Sequence, residues 1–316
     1  MSASNRTPKS GALSLPSYAK INLSLRVLGR RPADGYHEIR TVFQTVTLRD
    51  RLTFRGVPDG RLELACDAPE IPADDTNLIW RAAHALREHY GLESAGVRVT
   101  LEKRIPAGGG LGGGSSNAAV ALMALAHLWN IEVEGGELAE LGARLGADVP
   151  FFLMGGTALG TGTGAEVLPL SDAPEMELLI VSPGVAVSTT KAYAALQAPV
   201  LTTAASPVNL PISRKSADFT GPHHEGLLND FERVVPRLYP EIGRAKRALL
   251  EAGARAALLS GSGSSVFGVF ESSAQREQAE IALRAEADWK VFLCDTLTRA
   301  EYLKALGPAA RIWEGV

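Results

Sequence analysis

Cysteine is nearly absent: Cys66 and Cys294 are the only two in 316 residues, and they stand far apart. A disulfide framework is therefore excluded, and a reducing, cytoplasmic setting is expected. The six histidines are scattered, with His223–His224 in a polar stretch flanked by glycine and proline, so no Cys/His cluster of metal-ligand spacing exists and no protein-held metal is expected. Aromatic residues make up only 6%, and no apolar run reaches the length that a membrane-spanning helix needs. One-sided charge is missing too. A formal net charge of −3 with 21% charged residues argues against a general nucleic-acid or membrane-surface binder. Residues 1–14, MSASNRTPKSGALS, lack the apolar centre of a secretory leader and read as a disordered tail.

What the chain has is apolar residues, at 46%, and 32 glycines. That is enough for a sizeable core and points to two domains. Residues 19–27, AKINLSLRV, alternate strictly: Ile21, Leu23, Leu25 and Val27 on one side, Lys20, Asn22, Ser24 and Arg26 on the other. The pattern predicts a half-buried strand carrying Lys20 and Asn22 on its polar face. Strand-like runs follow at 41–48, 51–55 and 61–65. Residues 77–90 switch to helical spacing, with Thr76 the expected cap at the start and Gly91 at the end. A strand at 96–103 leads into a glycine run, after which Ser115–Ser116 open a helix apolar enough to be largely buried. A third helix covers about 136–145.

From about residue 170 the pattern resets: a strand at 177–181, a helix near 189–196 and a Pro/Ser/Thr-rich loop at about 198–225. Helices are expected over about 227–252, then a strand–glycine loop–strand unit in ALLSGSGSSVFGVF, a helix at 274–286 and a strand in KVFLC. Several strands precede the first glycine motif, and strands and helices do not simply alternate. That argues against a doubly wound dinucleotide fold, and an α+β fold is predicted.

Residues 105–117 read IPAGGGLGGGSSN, with six glycines in the seven positions 108–114, interrupted only by Leu111. Such a run lets the backbone approach a ligand closely. With a helix opening behind it, several N–H groups and the positive helix end converge, a site suited to a polyphosphate. A Gly/Ser linker is the plain alternative, against which stand the strand and buried helix on either side. No GK[ST] closes the run, and no acidic residue follows about 20 positions on at a strand end, so neither a Walker A loop nor a Rossmann fingerprint is present. Asp148, just before Val149–Pro150, fits either a helix cap or a reacting carboxylate. Lys20 and Asn22 fit solvated strand positions as readily as site positions. Tyr36–His37 fit a loop anchor or a base-binding pair, and Tyr193 a core ring or a base contact.

Three segments together resemble the GHMP kinase superfamily: the early strand with Lys20, the IPAGGGLGGGSSNAA loop and the late LLSGSGSSVFG loop. Within it the chain is similar to the 4-diphosphocytidyl-2-C-methyl-D-erythritol kinases, through AKINLSLRVLGRRPADGYHEI (19–39), the glycine run, LGADVPFF (145–152) and GSGSS (261–265). The resemblance implies a two-domain α+β architecture. A ribosomal protein S5 domain 2-like N-terminal domain over 15–168 would bind ATP, and a ferredoxin-like C-terminal domain over 169–316 would complete the cleft. It implies ATP-dependent phosphorylation of the 2-hydroxyl of a cytidine diphosphate-linked methylerythritol, in non-mevalonate isoprenoid biosynthesis, with Mg²⁺ carried on the nucleotide.

Matched residue by residue, the resemblance implies Asp148 as catalytic carboxylate and Lys20 as catalytic lysine. It places Pro106, Ala107, Gly108, Gly109, Gly110, Leu111, Gly112, Gly113, Gly114, Ser115 and Ser116 on ATP, together with Lys103 and Asn77. Asn22, Tyr36, His37, Phe43, Thr189 and Tyr193 fall on the substrate. The GSGSS loop is expected as a second wall of the phosphate site. GRRPADGYH is one residue longer than the family's usual GRRPDGYH, ahead of Tyr36. Small-molecule substrate and ATP are the partners implied; oligomeric state stays open. Two readings compete: another GHMP kinase of homoserine or mevalonate type, disfavoured by Tyr36–His37, and a non-catalytic metabolite-sensing module, expected to lack Lys20 or Asp148.

Overall fold

Two long strands organise the molecule, which the computed structural model describes over residues 11–134, 136–201 and 226–313. β1 (Ala12–Arg30) and β2 (His37–Val57) run antiparallel for nearly their full lengths. Register shifts at Tyr18/Ala19, Asn22/Ser24 and Val27/Gly29 bend the ribbon, as bulges do, and its two halves take different neighbours. The second half of β2 pairs with β4 (Gly96–Glu102), which pairs in parallel with β3 (Leu62–Cys66). The first half pairs with β5 (Thr157–Thr161), which continues to β6 (Glu166–Pro169). The runs expected separately at 41–48 and 51–55 are thus one strand. The tail expected at 1–14 also ends earlier, because Ala12, Leu13 and Ser14 already pair with Arg55, Phe54 and Thr53; residues 1–10 lie outside the described residues.

Four helices pack into one core with this sheet: α1 (Leu78–Tyr90), α2 (Gly113–Leu128), α3 (Glu137–Leu145) and α4 (Val149–Met154). In α1, Ile79, Ala82, Ala83 and Leu86 are buried, the spacing of an amphipathic helix. Its cap is Asn77, whose side-chain oxygen accepts from Ile79 N at 2.9 Å, and not Thr76, which bonds Asp74. Gly91 closes the helix at φ 64°, as expected. Nearly every residue of α2 is buried, so this helix is the centre of the domain.

The second sheet holds β7 (Glu177–Ser182), β9 (Ala256–Leu259), β10 (Val266–Phe270) and β11 (Lys290–Asp295), ordered β11-β7-β10-β9 and antiparallel throughout. With helices between β7 and β9 and between β10 and β11, this is the βαββαβ ferredoxin-like arrangement. The first crossover carries α5 (Thr189–Leu196), β8 (Leu228–Asn229), a 3₁₀ turn at Asp230–Arg233, α6 (Val235–Leu238) and α7 (Pro240–Glu251). Helices are expected over about 227–252; the structure starts them later, at Val235, after β8 and the 3₁₀ turn, with Pro236 and Pro240, which lack an N–H, in the first turns of α6 and α7. α8 (Ser273–Leu283) forms the second crossover. The loop expected at 198–225 begins by bridging Arg30, with Arg30 N donating to Pro199 O at 2.8 Å; its residues 202–225, His223–His224 among them, lie outside the described residues.

The two sheets meet through a third core. Ala19, Ile21 and Leu23 of β1 and Val42 and Val46 of β2 pack against Leu178, Ile180, Leu258 and Phe267. From Ser17 to Leu23 β1 is buried on both faces, which corrects the expected half-buried strand: Lys20 and Asn22 are as buried as their apolar neighbours. Two stretches of the second half return to the first. β8 pairs in parallel with β1, and α9 (Arg299–Leu306) places Tyr302 and Leu306 in the first core. No helix among the described residues is long and apolar enough to cross a membrane.

Candidate active site

A cleft of about 1400 Å³ opens between the two halves, floored by the glycine run. α2 starts at Gly113, inside the run and two residues earlier than expected, with Gly112 as its N-terminal cap at φ 72°. The first-turn N–H groups of a long buried helix thus face the cleft, and such N–H groups favour an anion. The late glycine loop, between β9 and β10, clamps the run from above: Ser260 Oγ donates to Gly110 O and Ser265 N to Gly109 O, each at 3.0 Å. Glycine is required at position 110 for this packing. A Cβ there would stand 2.1 Å from Ser260 O, and φ is +76°. Position 108 is different, since a Cβ there would meet nothing within 4 Å. Part of the glycine content therefore serves loop-on-loop packing, and part keeps the cleft open.

Pro106, Ala107, the glycines, Leu111 and Ser115 line the cleft. Ser116 does not. It is fully buried, its hydroxyl accepts from Ser17 Oγ at 2.7 Å, and its N–H is spent on Gly112 O at 2.8 Å. The earlier start of α2 turns Ser116 inward, which corrects its assignment to the phosphate cradle. Asn77 and Lys103 line the cleft as well, Asn77 while capping α1.

At the inner wall, Lys20 Nζ lies 3.5 Å from Asp148 Oδ2. The lysine side chain is 4% exposed and the aspartate 32%. Lys20 is held from three sides: its ammonium donates to Asn22 Oδ1 at 2.7 Å, stands 5.4 Å from the centre of the Phe43 ring, and its backbone N–H bonds Leu111 O at 3.0 Å. Asn22 Nδ2 donates to Thr41 Oγ1, and Thr41 Oγ1 to Ser24 O, both at 2.7 Å, which fixes the amide orientation. Asp148 occupies the position before α4, yet its side chain makes no cap bond. The capping alternative is thereby removed, and the carboxylate faces the cleft beside an ammonium.

The opposite wall is aromatic. His37 stacks on Tyr193 with ring centres 4.5 Å apart and planes at 24°, and Tyr193 meets Phe231 edge-on at 4.8 Å. Burial, followed by Arg30, lowers the His37 pKa below its usual 6.5; burial, followed by the Asp148 charge, pushes the Tyr193 phenol up to about 12. Tyr36 is 64% exposed at the cleft mouth. The loop carrying it is closed by Asp34, which accepts from Tyr36 N at 3.0 Å and pairs with Arg31 at 2.6 Å. His37 itself covers a face of Tyr193, so these two rings of the wall are stacked on one another. Phe43 is buried, packing on Phe151 at 4.9 Å. Thr189 at the start of α5 shares a 3.2 Å hydroxyl contact with Ser262 of the late glycine loop.

Two residues of the site carry no sequence motif. Asn229 donates to Leu259 O and Gly261 O, both at 2.8 Å, and so ties the late glycine loop to the strand beside β1. Asp50 is wholly buried below the entry to the glycine run. It falls in phase with Leu48, Leu52 and Phe54, all buried, and a carboxylate in the apolar phase of a strand was the available signal. Among the described residues no group of three or more His, Cys, Asp or Glu is placed to hold a metal.

The family model described as the GHMP kinase N-terminal domain matches residues 77–156, and that for the C-terminal domain matches 222–288. A 4-diphosphocytidyl-2-C-methyl-D-erythritol kinase of Moorella thermoacetica is 43% identical over 262 residues, covering 81% of this chain and 90% of that protein. The crystal structure of a 4-(cytidine 5'-diphospho)-2C-methyl-D-erythritol kinase superposes with a TM-score of 0.74 at 36% identity, over 90% of this chain and 100% of that one. Homoserine kinase from Cytophaga hutchinsonii shares the fold, with a TM-score of 0.67 at 19% identity over 92% of this chain and 96% of that one.

Proposed function

The chain belongs to the 4-diphosphocytidyl-2-C-methyl-D-erythritol kinases, a family of GHMP kinases, and on that premise we propose that it moves the γ-phosphoryl group of ATP onto the 2-hydroxyl of 4-(cytidine 5'-diphospho)-2-C-methyl-D-erythritol, a step of non-mevalonate isoprenoid synthesis in the cytoplasm. The single observation that carries the reaction is the Lys20–Asp148 pair on the wall of the cleft floored by the glycine run. In the proposed step the hydroxyl oxygen bonds to the γ-phosphorus, the bond from that phosphorus to the bridging oxygen breaks, and ADP leaves. The hydroxyl proton passes to Asp148. Lys20, fixed by Asn22, stabilises the negative charge that grows on the attacking oxygen.

Phosphoryl transfer asks mostly for in-line placement and charge neutralisation. The glycine run from Gly108 to Gly114 and the first turn of α2 would hold the polyphosphate, with Pro106, Ala107, Ser115, Lys103 and Asn77 around the nucleotide. Mg²⁺ carried on the nucleotide would neutralise further charge, and the part-exposed Asp148 oxygen is an anionic donor of the kind such a cation meets. The cytidine end is proposed to lie against Tyr36, His37 and Tyr193, with Thr189, Asn22 and Phe43 toward the erythritol. Residues 15–168 then form the nucleotide side and 169–316 the closing side.

ADP release measured across the cytidine-bearing acceptor, homoserine and mevalonate tests the reading. Turnover of the first alone is expected. Turnover of homoserine or mevalonate instead would favour the other GHMP readings, and ATP binding without any turnover would favour a sensing module.

A further inference from the structure

Asp50 is a charged group with no exposed surface, placed on β2 among Leu48, Leu52 and Phe54. Burying a carboxylate is costly, and the cost is offset only by well-placed donors. Asp50 has three, divided between its two oxygens. Oδ1 accepts the backbone N–H groups of Arg104 at 2.7 Å and Ile105 at 2.8 Å. Oδ2 accepts Lys103 Nζ at 2.8 Å. The lysine side chain is 9% exposed, and its ammonium also donates to Ile105 O. Lys103 N in turn bonds Asp67 Oδ1 at 2.8 Å. The short link from β4 to Pro106, where the glycine run begins, is therefore fixed at successive residues.

The ammonium held by Asp50 sits against the first turn of α2. A Cβ placed on Gly113 would be 3.1 Å from Lys103 Nζ. That turn carries the N–H groups that face the cleft, so the lysine adds positive potential where a polyphosphate would rest. A well-packed apolar pair would stabilise the fold as well as a buried ion pair does. The placement of this pair under the phosphate turn is what distinguishes it from a purely structural contact.

We infer that Asp50 is a positioning residue of the nucleotide site: Oδ1 sets the path of the chain into the glycine run, and Oδ2 holds the Lys103 ammonium under the first turn of α2. The inference rests on reading the cleft floor as the ATP site. Without Lys103, Asp50 would leave a buried negative charge beside the phosphates; without Asp50, Lys103 would lose its place. Each single loss includes the cost of the partner left unpaired, which the double variant does not carry, so removing both charges should cost nucleotide binding less than the two single losses combined.

The substitution Asp50→Asn separates the two oxygens. The amide oxygen keeps both backbone bonds, while the amide nitrogen turns a donor toward the ammonium. The experiment measures equilibrium binding of a non-hydrolysable ATP analogue with Mg²⁺ to the full chain, beside the KM for ATP and for the cytidine-bearing acceptor. Asp50→Asn should weaken analogue binding roughly 10- to 100-fold, raise the KM for ATP in step and leave the acceptor KM within about twofold. Lys103→Met should weaken binding similarly, and Asp50→Asn/Lys103→Met by less than the product of the singles. Should Asp50→Asn fail to fold, the double variant, which buries no lone charge, carries the test through its own split between nucleotide and acceptor. Analogue binding unchanged from the parent chain in either variant, or equal loss for analogue and acceptor, overturns the inference. Failure of the parent chain to bind the analogue overturns the nucleotide reading itself.

Discussion

Lys20 and Asp148, from the first strand and from the turn before α4, are brought to 3.5 Å with the lysine buried and the aspartate partly open to the cleft. Asp148 caps nothing and so contributes little to α4. Asp148→Asn should therefore lower kcat by roughly 10²- to 10⁴-fold, while unfolding stability falls by only about 1–3 kcal/mol, because the buried Lys20 ammonium loses its charged partner but keeps its bond to Asn22. Steady-state kinetics and denaturant unfolding on one preparation check both halves. Full activity would remove Asp148 as the base.

The two glycine loops give a graded stability prediction. At Gly110 a side chain collides with backbone at 2.1 Å and must adopt φ +76°, whereas at Gly108 it meets only the φ cost, at +67°. Gly110→Ala should cost about 2–5 kcal/mol and Gly108→Ala about 1–2 kcal/mol. Urea unfolding curves order the two variants, and equal losses would contradict the packing described.

His37 provides a pH signature. Burial, followed by Arg30, holds its pKa below 6.5, so the unfolded chain binds the proton more readily than the folded one. The stability this contributes is complete above pH 6.5 and is lost as pH falls through the lower folded value. An NMR titration of the His37 ring should find its midpoint below 6.5, and a midpoint above that contradicts the half-buried stack on Tyr193.

The thiols should differ sharply. Cys294 is buried and its pKa is pushed up to about 12, while Cys66 is only partly covered and more modestly raised, in both cases by burial first. Because the thiolate is the reactive form, a thiol reagent at pH 8 should label Cys66 alone in the folded chain and both residues after denaturation. Mass spectrometry of digested protein reads the outcome.

Local features of the site were legible in the sequence, and long-range ones were not. The alternation of AKINLSLRV and the position of the glycine run between a strand and a buried helix are written in neighbouring residues. That Lys20 is buried depends on residues distant in sequence, since the glycine run at Gly112, the Phe43 ring and Asp148 meet its face of β1 while Leu178 and Ile180 of the second sheet cover the opposite, apolar face. Ser116 was misplaced because α2 begins at Gly113, and each residue of helix rotates a side chain by about 100°. Thr76 and Asn77 are adjacent polar candidates, and only backbone geometry decides which one caps α1. Asp50 was hidden by dividing β2 into two strands, which obscured its apolar phase.

The chemical identity of the product tests the central claim most directly. Carbon 2 of the methylerythritol bears a methyl group and no hydrogen, so a phosphate ester there has no neighbouring proton across the P–O–C linkage. Proton-coupled ³¹P NMR of the product from ATP and 4-(cytidine 5'-diphospho)-2-C-methyl-D-erythritol should show one new phosphomonoester resonance as an unsplit line. A doublet from the secondary hydroxyl, a triplet from the primary one, or no new ester with this acceptor would contradict the account.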